Sequence, residues 1–385
     1  MRKLAILAAL LLLTVGSADP PANDPPANGQ TPQSEFVFNL YRSIVQGNPG
    51  KNVTVSPYGV GRILDLARSG AAGETRTEIE QVLGYTELVT WETRSDDTLT
   101  IADALWTQQG LPIFPEFLQT ARENFGSSIE QADFARNPHE AVRRINAWCS
   151  THTKGKIPAL FDRLGSDTRL VLVNAIHFSA DWQTKFNKSR TQDGDFTLLD
   201  GGKATAKLMS QESWARYGTT DDTFALELPY EDESYAMVIL FPKSPPWNPT
   251  NFVQWESEMT AQKFNLIRRS MRMDLVNIRM PKFTMESDIP LNATLQQLGM
   301  RTAFNRNADF SKITTAPGGL FVSDVHQKTF VEVDETGTRA AAVTRSISIG
   351  CSATPQPRVF HADRPFLYAI VKGDTILFLG RFVKP

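Results

Sequence analysis

The sequence predicts one large domain of mixed α+β class. Three observations carry that expectation. Apolar residues recur at helical spacing in several segments of the first 150 residues, apolar or alternating runs of strand length are clearest from residue 170 onward, and no second linker divides the chain after Ser34. With 385 residues, a length prior would give two or three domains, but the Pro-rich stretch 243–250 is short enough for a surface loop, so residues 34–385 are read as one unit.

The first elements lie outside that unit. Arg2 and Lys3 precede an apolar run, residues 4–15, that is too short to span a bilayer, and Gly16, Ser17 and Ala18 offer small residues for a signal peptidase. Residues 1–18 therefore read as a signal peptide and predict a secreted protein, extracellular or periplasmic. No Cys follows the cleavage site to carry a lipid, and no later stretch reaches transmembrane length, so no membrane partner is expected. Residues 19–33 form a Pro-rich linker, in which Asp19-Pro20-Pro21-Ala22-Asn23 repeats as Asp24-Pro25-Pro26-Ala27-Asn28. Proline at that density excludes helix and leaves an extended, solvated tether.

Inside the domain, residues 35–45 carry Phe36, Leu40 and Ile44 at helical spacing, and residues 60–67 and 78–83 also read as helices. Thr75 with Glu78 three residues on has the pattern of a capping box for the second of these. Residues 140–150 follow Pro138 and place Val142, Ile145 and Trp148 on one face, a further helix. Residues 170–178 are almost continuously apolar, as in a central buried strand, and residues 236–241 are another such run. Residues 276–280 alternate, a half-exposed strand, and residues 366–371 and 375–382 flank Lys372-Gly373-Asp374 as a hairpin.

Composition removes several function classes. A formal net charge of -2 argues against a nucleic-acid partner. Two cysteines, Cys149 and Cys351, are too few for a disulfide framework. The five histidines show no metal-binding spacing, and His177 lies in an apolar run where a packed ring is expected. There is no G-x-S-x-G elbow, no phosphate loop and no H-E-x-x-H. No cofactor, no metal and no catalytic residue is assigned, and the chain does not read as an enzyme.

What stands out is residues 332–354. Glu332-Val333-Asp334-Glu335-Thr336-Gly337-Thr338-Arg339-Ala340-Ala341-Ala342-Val343-Thr344 resembles the hinge of the serpin family of protease inhibitors. Asn52-Val53-Thr54-Val55-Ser56-Pro57 and Gly70-Ala71-Ala72-Gly73-Glu74-Thr75 resemble the family's early strand and helix. Leu172-Val173-Asn174-Ala175-Ile176-His177-Phe178, followed by Trp182 and Phe186, is similar to its central strand and breach tryptophan. Asp363-Arg364-Pro365-Phe366-Leu367 and Phe378-Leu379-Gly380-Arg381-Phe382 are similar to its C-terminal signature. Together these cover the chain from Ser34 to Pro385 in the family's order.

The resemblance implies the serpin fold, three β-sheets with about eight or nine helices and an exposed reactive-centre loop, and a suicide mechanism in which the cleaved loop enters the central sheet as a new strand. Fourteen positions past Gly337, it places the attacked bond at Cys351–Ser352. It assigns the hinge to Glu335, Gly337, Thr338, Ala340, Ala341, Ala342 and Thr344, and the opening of the sheet to Ser56, Asn174, Trp182, Lys282 and Gln327. The expected function is a secreted inhibitor of serine proteases. Cys is small and moderately apolar, so the target has an elastase-like or chymotrypsin-like pocket; a cysteine protease is the other partner class.

The residue pattern fits insertion on its own terms. In a strand, Thr338, Ala340, Ala342, Thr344, Ser346, Ser348 and Gly350 share one face and all are small, whereas the other face holds Arg339 and Arg345. Departures from the family lie at Gln327, where many members have a histidine, at Gly59 in place of a common serine, at Arg339 in place of a common glutamate, and at Val343, which is bulkier than usual. Val343 and Gly59 support the alternative, a non-inhibitory serpin acting as carrier, chaperone or protease substrate. Residues 86–100 are short and carry Glu87, Glu92, Asp96 and Asp97 against Arg94, so activation by a glycosaminoglycan is not expected. A monomer is expected, and Asn52, Asn187 and Asn292 head glycosylation sequons.

Overall fold

The structure is a computed structural model that describes residues 33–87, 89, 91, 98–243, 249–316, 319–337 and 356–385. The predicted signal peptide, nearly all of the linker and much of the 86–100 connection lie outside the described residues. The described helices are α1 (Gln33–Gln46), α2 (Pro57–Gly70), α3 (Gly73–Leu83), α4 (Pro115–Phe125), α5 (Pro138–His152), α6 (Pro249–Ser257), α7 (Ala261–Ser270) and α8 (Asn292–Leu298). The strands are β1 (Val53–Val55), β2 (Leu99–Gln108), β3 (Ser128–Ala132), β4 (Leu170–Phe178), β5 (Gln192–Thr197), β6 (Lys203–Thr219), β7 (Thr223–Pro229), β8 (Tyr235–Pro242), β9 (Arg272–Pro281), β10 (Phe283–Pro290), β11 (Val322–Val333), β12 (Arg358–His361), β13 (Phe366–Lys372) and β14 (Thr375–Phe382).

Helix boundaries follow local chemistry. Pro57 opens α2 in the first turn, where its missing N–H costs nothing, and the Ser56 hydroxyl accepts from the Gly59 N–H at 3.0 Å. Helix α3 stops at Gly84, which takes φ 78°. The capping box expected at Thr75 and Glu78 does not form. The helix already begins at Gly73, and both side chains are used elsewhere: the Thr75 hydroxyl accepts from the Asp309 N–H at 2.9 Å, and the Glu78 carboxylate accepts from the Thr302 N–H at 2.6 Å. Long-range partners outcompete the local cap.

The five-stranded sheet runs in the order β10-β11-β4-β2-β3. Strand β4 is buried along its whole length, and each large apolar side chain there stabilises the fold by about 1.5–3 kcal/mol. The other nine strands form a ladder, β1-β14-β13-β8-β7-β6-β9-β12, with β5 also on β6. This ladder joins two of the three expected sheets through β6, whose Arg216 and Tyr217 pair both with β7 and with β9. Helix α2, almost wholly buried, packs between β4 and β14 and ties the two ladders into one core.

The order of the five strands positions the site. β10 pairs antiparallel to β11 and β2 antiparallel to β4, but β11 and β4 run parallel and are bonded directly to each other, from Val322↔Leu170 to Val331↔Phe178. Helix α2 covers one face of this pair. The other carries α5 and the connection that follows it, where Lys328 Nζ donates to the Ala159 carbonyl at 3.0 Å and the His326 ring lies edge-on to Phe161.

Candidate functional site

The seam between β4 and β11 is pinned at two levels. Near its middle, Asn174 on β4 and Gln327 on β11 are register partners, both fully buried. Gln327 Nε2 donates to Asn174 Oδ1 at 2.6 Å and to the Ser56 carbonyl at 2.9 Å, while its Oε1 accepts from the Ser56 N–H at 2.8 Å. The Ser56 hydroxyl donates to the Leu377 carbonyl at 2.6 Å. One amide side chain thus ties both seam strands to the start of α2. Asn174 Nδ2 donates to Asp103 on β2, and the other Asp103 oxygen accepts from Arg62 Nε at 2.8 Å. Burial disfavours the charge on Arg62, but Asp103 outweighs it and raises the guanidinium pKa further.

At the C-terminal end of β11 the chain turns. Asp334 Oδ1 accepts from the Thr336 N–H at 2.8 Å, the Thr336 hydroxyl at 2.7 Å and the Gly337 N–H at 3.2 Å. Gly337 takes φ 144° and bridges to Asp181 so closely that a β-carbon there would overlap the backbone of residues 180–182. Only glycine fits that contact. Trp182 holds the same turn: its indole Nε1 donates to the Asp334 carbonyl at 2.9 Å, its backbone N–H to the Thr336 carbonyl at 2.9 Å, and its ring stacks on Tyr230 at 4.6 Å between centroids. Glu335 is 4% exposed and accepts from the Thr191 hydroxyl at 2.7 Å and from Lys282 Nζ at 3.2 Å. Burial raises its pKa, but the bonds from Thr191, its own backbone N–H and Lys282 outweigh burial and hold it below the ordinary glutamate value.

The structure therefore brings Ser56, Asn174 and Gln327 together at mid-seam, and Glu335, Gly337, Trp182 and Lys282 together at its end. Thr338, Ala340, Ala341, Ala342, Thr344, Cys351 and Ser352 lie outside the described residues, between Gly337 at the end of β11 and Gln356 just before β12. Cys149 is buried, which pushes its thiol up to about 12, and His177 is packed against the Phe330 ring. Sequence reasoning missed Asp103, Arg62 and Thr191. Asp103 left a readable signal, a carboxylate inside the apolar run Ile101-Ala102-Asp103-Ala104-Leu105; Thr191 left none.

A family model described as Serpin (serine protease inhibitor) matches residues 31–385. The leukocyte elastase inhibitor of Sus scrofa is 33% identical over 372 residues, which cover 91% of this chain and 98% of the relative. Iripin-2 of Ixodes ricinus is 34% identical over 406 residues, 99% of each chain. Among solved structures, the thermophilic serpin tengpin in its native state superposes with a TM-score of 0.81 at 27% identity, over 92% of this chain and 93% of that one. The comparisons also correct the localisation expected from residues 1–18. Leukocyte elastase inhibitors are intracellular serpins without signal peptides, in conflict with a secreted protein.

Proposed function

Because this chain belongs to the serpin family, we propose that it is a single-use inhibitor of serine proteases with an elastase-like or chymotrypsin-like pocket, attacked at Cys351–Ser352. The protease serine adds to the Cys351 carbonyl, the Ser352 amine leaves, and an ester joins Cys351 to the enzyme. The inhibitor supplies no catalytic group of its own. Its part is to remove the acylated chain before water reaches the ester.

The observation that carries this reading is the direct parallel pairing of β4 and β11 together with the turn at Gly337. A segment that leaves the end of β11 and folds back runs antiparallel to β11, and, because β4 is parallel to β11, antiparallel to β4 as well. One slanted parallel ladder is then exchanged for two antiparallel ones, with a net gain of hydrogen bonds and packing. The small residues at 338, 340, 342, 344, 346, 348 and 350 give that segment a face able to lie against the core. Trp182, Glu335 and Lys282 hold the entrance, and Gln327 and Asn174 must part for the strand to pass.

The test is a gel assay against elastase and chymotrypsin. The expected product is an SDS-resistant complex joined through Cys351. Complete cleavage at 351–352 across a broad panel with no trapped protease would show a substrate and not an inhibitor.

A further inference from the structure

Helix α2 is anchored on both sides of the β4–β11 seam. Its N-cap, Ser56, is bonded through its backbone to Gln327 of β11. Arg62 lies six positions further along, about 9 Å by helical rise. Its guanidinium is paired with Asp103 of β2, and Asp103 accepts from Asn174 of β4. Entry of a strand between β4 and β11 moves them apart by one further strand spacing, about 4.8 Å. Two points on one rigid helix cannot follow both strands, so one anchor must let go.

We propose that α2 is a strap across the seam and that Arg62 is its release point: the Arg62–Asp103 ion pair positions β4 against β11 and sets the barrier to opening. The inference rests on the insertion reading above. The β11 side of the strap is held at several residues. Besides the Gln327 bonds, the Thr329 hydroxyl donates to the Thr54 carbonyl at 3.2 Å, and on β10 the Ser287 hydroxyl accepts from the Thr54 N–H at 2.9 Å. The β4 side is held by the ion pair, at 2.8 Å, with side chains 4% and 2% exposed. Arg62 cannot swing after a departing Asp103. Its guanidinium also donates to the Phe125 carbonyl at the end of α4, and it lies 5.8 Å from the Tyr58 ring centroid and 5.9 Å from that of Trp91. Separating the pair therefore leaves two opposite charges apart in a buried, low-dielectric place, the costly step of opening.

The experiment compares wild type with Arg62→Gln/Asp103→Asn, a neutral pair that can still hydrogen-bond, and with Arg62→Lys, which keeps a cation opposite Asp103. Removing both charges together avoids the unpaired buried charge that a single neutral change would leave. Amide hydrogen exchange of the uncleaved protein reads seam opening with no protease present. The expected result is exchange about tenfold faster at β4 and β11 in the double variant, a smaller acceleration in Arg62→Lys, and unchanged exchange at β8 and β13 in the other ladder. With elastase or chymotrypsin, the double variant should give more trapped complex relative to cleaved product, because opening then competes better with hydrolysis of the ester. Should wild type be cleaved without trapping, the inhibitor reading fails, and seam exchange still decides the strap. Equal seam exchange in wild type and double variant overturns the proposal. So does an acceleration shared by β8 and β13, which marks a general loss of stability and not the release of a seam.

Discussion

Gly59 and Asn174 share one volume: a β-carbon at position 59 would lie 2.6 Å from the Asn174 amide nitrogen and 2.8 Å from its Cγ. The glycine at the start of α2 is what lets the Asn174 carboxamide reach Gln327 on one side and Asp103 on the other. The space that a serine side chain would take there is the space that the β4 amide occupies.

Gly59→Ser should therefore destabilise the native form, although it adds a hydrogen-bonding group. Overpacking a filled site costs about 1–3 kcal/mol. Denaturant unfolding of the uncleaved protein checks this, and equal or greater stability would contradict the shared-volume account.

Gln327→Ala removes all three bonds that join the seam to Ser56 and Asn174. Each buried group left without a partner costs about 1–3 kcal/mol. Since these bonds also tie β4 to β11, the variant should lose inhibitory activity faster on incubation at raised temperature. Time courses of residual activity for wild type and variant measure it.

What could be read from the sequence depended on where the partners lie. The bounds of β4 agree at both ends because every one of its side chains is buried and an apolar run is the direct imprint of that burial. The apolar spacing predicts helix over 60–67, whereas α2 spans Pro57–Gly70, since Arg68 breaks the apolar period at the C-terminal end while sitting inside the protein, as Arg62 and Asp65 also do. Arg62 pairs with Asp103, and Arg68 pairs with Asp65 at 2.6 Å. At the site, Asn174 and Gln327 came from the family resemblance. Asp103 is 71 residues from Asn174 and Thr191 is 144 from Glu335, separations that no local pattern encodes.

The end of the seam should respond to acid. Glu335 has a lowered pKa in the folded protein, so its contribution is present at neutral pH and is lost as pH falls below the ordinary glutamate value of 4.5. Lys282→Met removes one of the groups that lower it, and should make the acid limb of the stability curve shallower without abolishing it, because the Thr191 bond remains. Melting temperatures of both proteins between pH 3 and 7 test this, and identical acid limbs would remove Lys282 from the account.

Thr338→Arg and Ala340→Glu place a charge on the small-residue face of the bait segment. An unpaired charge taken under the sheet costs several kcal/mol, roughly. Both variants should be cleaved at 351–352 and release active protease, seen as a rise in cleaved product over complex on a gel. Trapping retained by both would contradict the assignment of that face to the core.

The central claim is that the β4–β11 seam opens to take in the cleaved segment. The most direct measurement is the melting temperature before and after a single clean cut within residues 338–355. If insertion adds roughly five kcal/mol, at about 1.4 degrees per kcal/mol for a domain of roughly 350 residues, the cleaved protein should melt about 7 °C above the native one. A cleaved protein that melts at the native temperature would contradict insertion, and with it the mechanism.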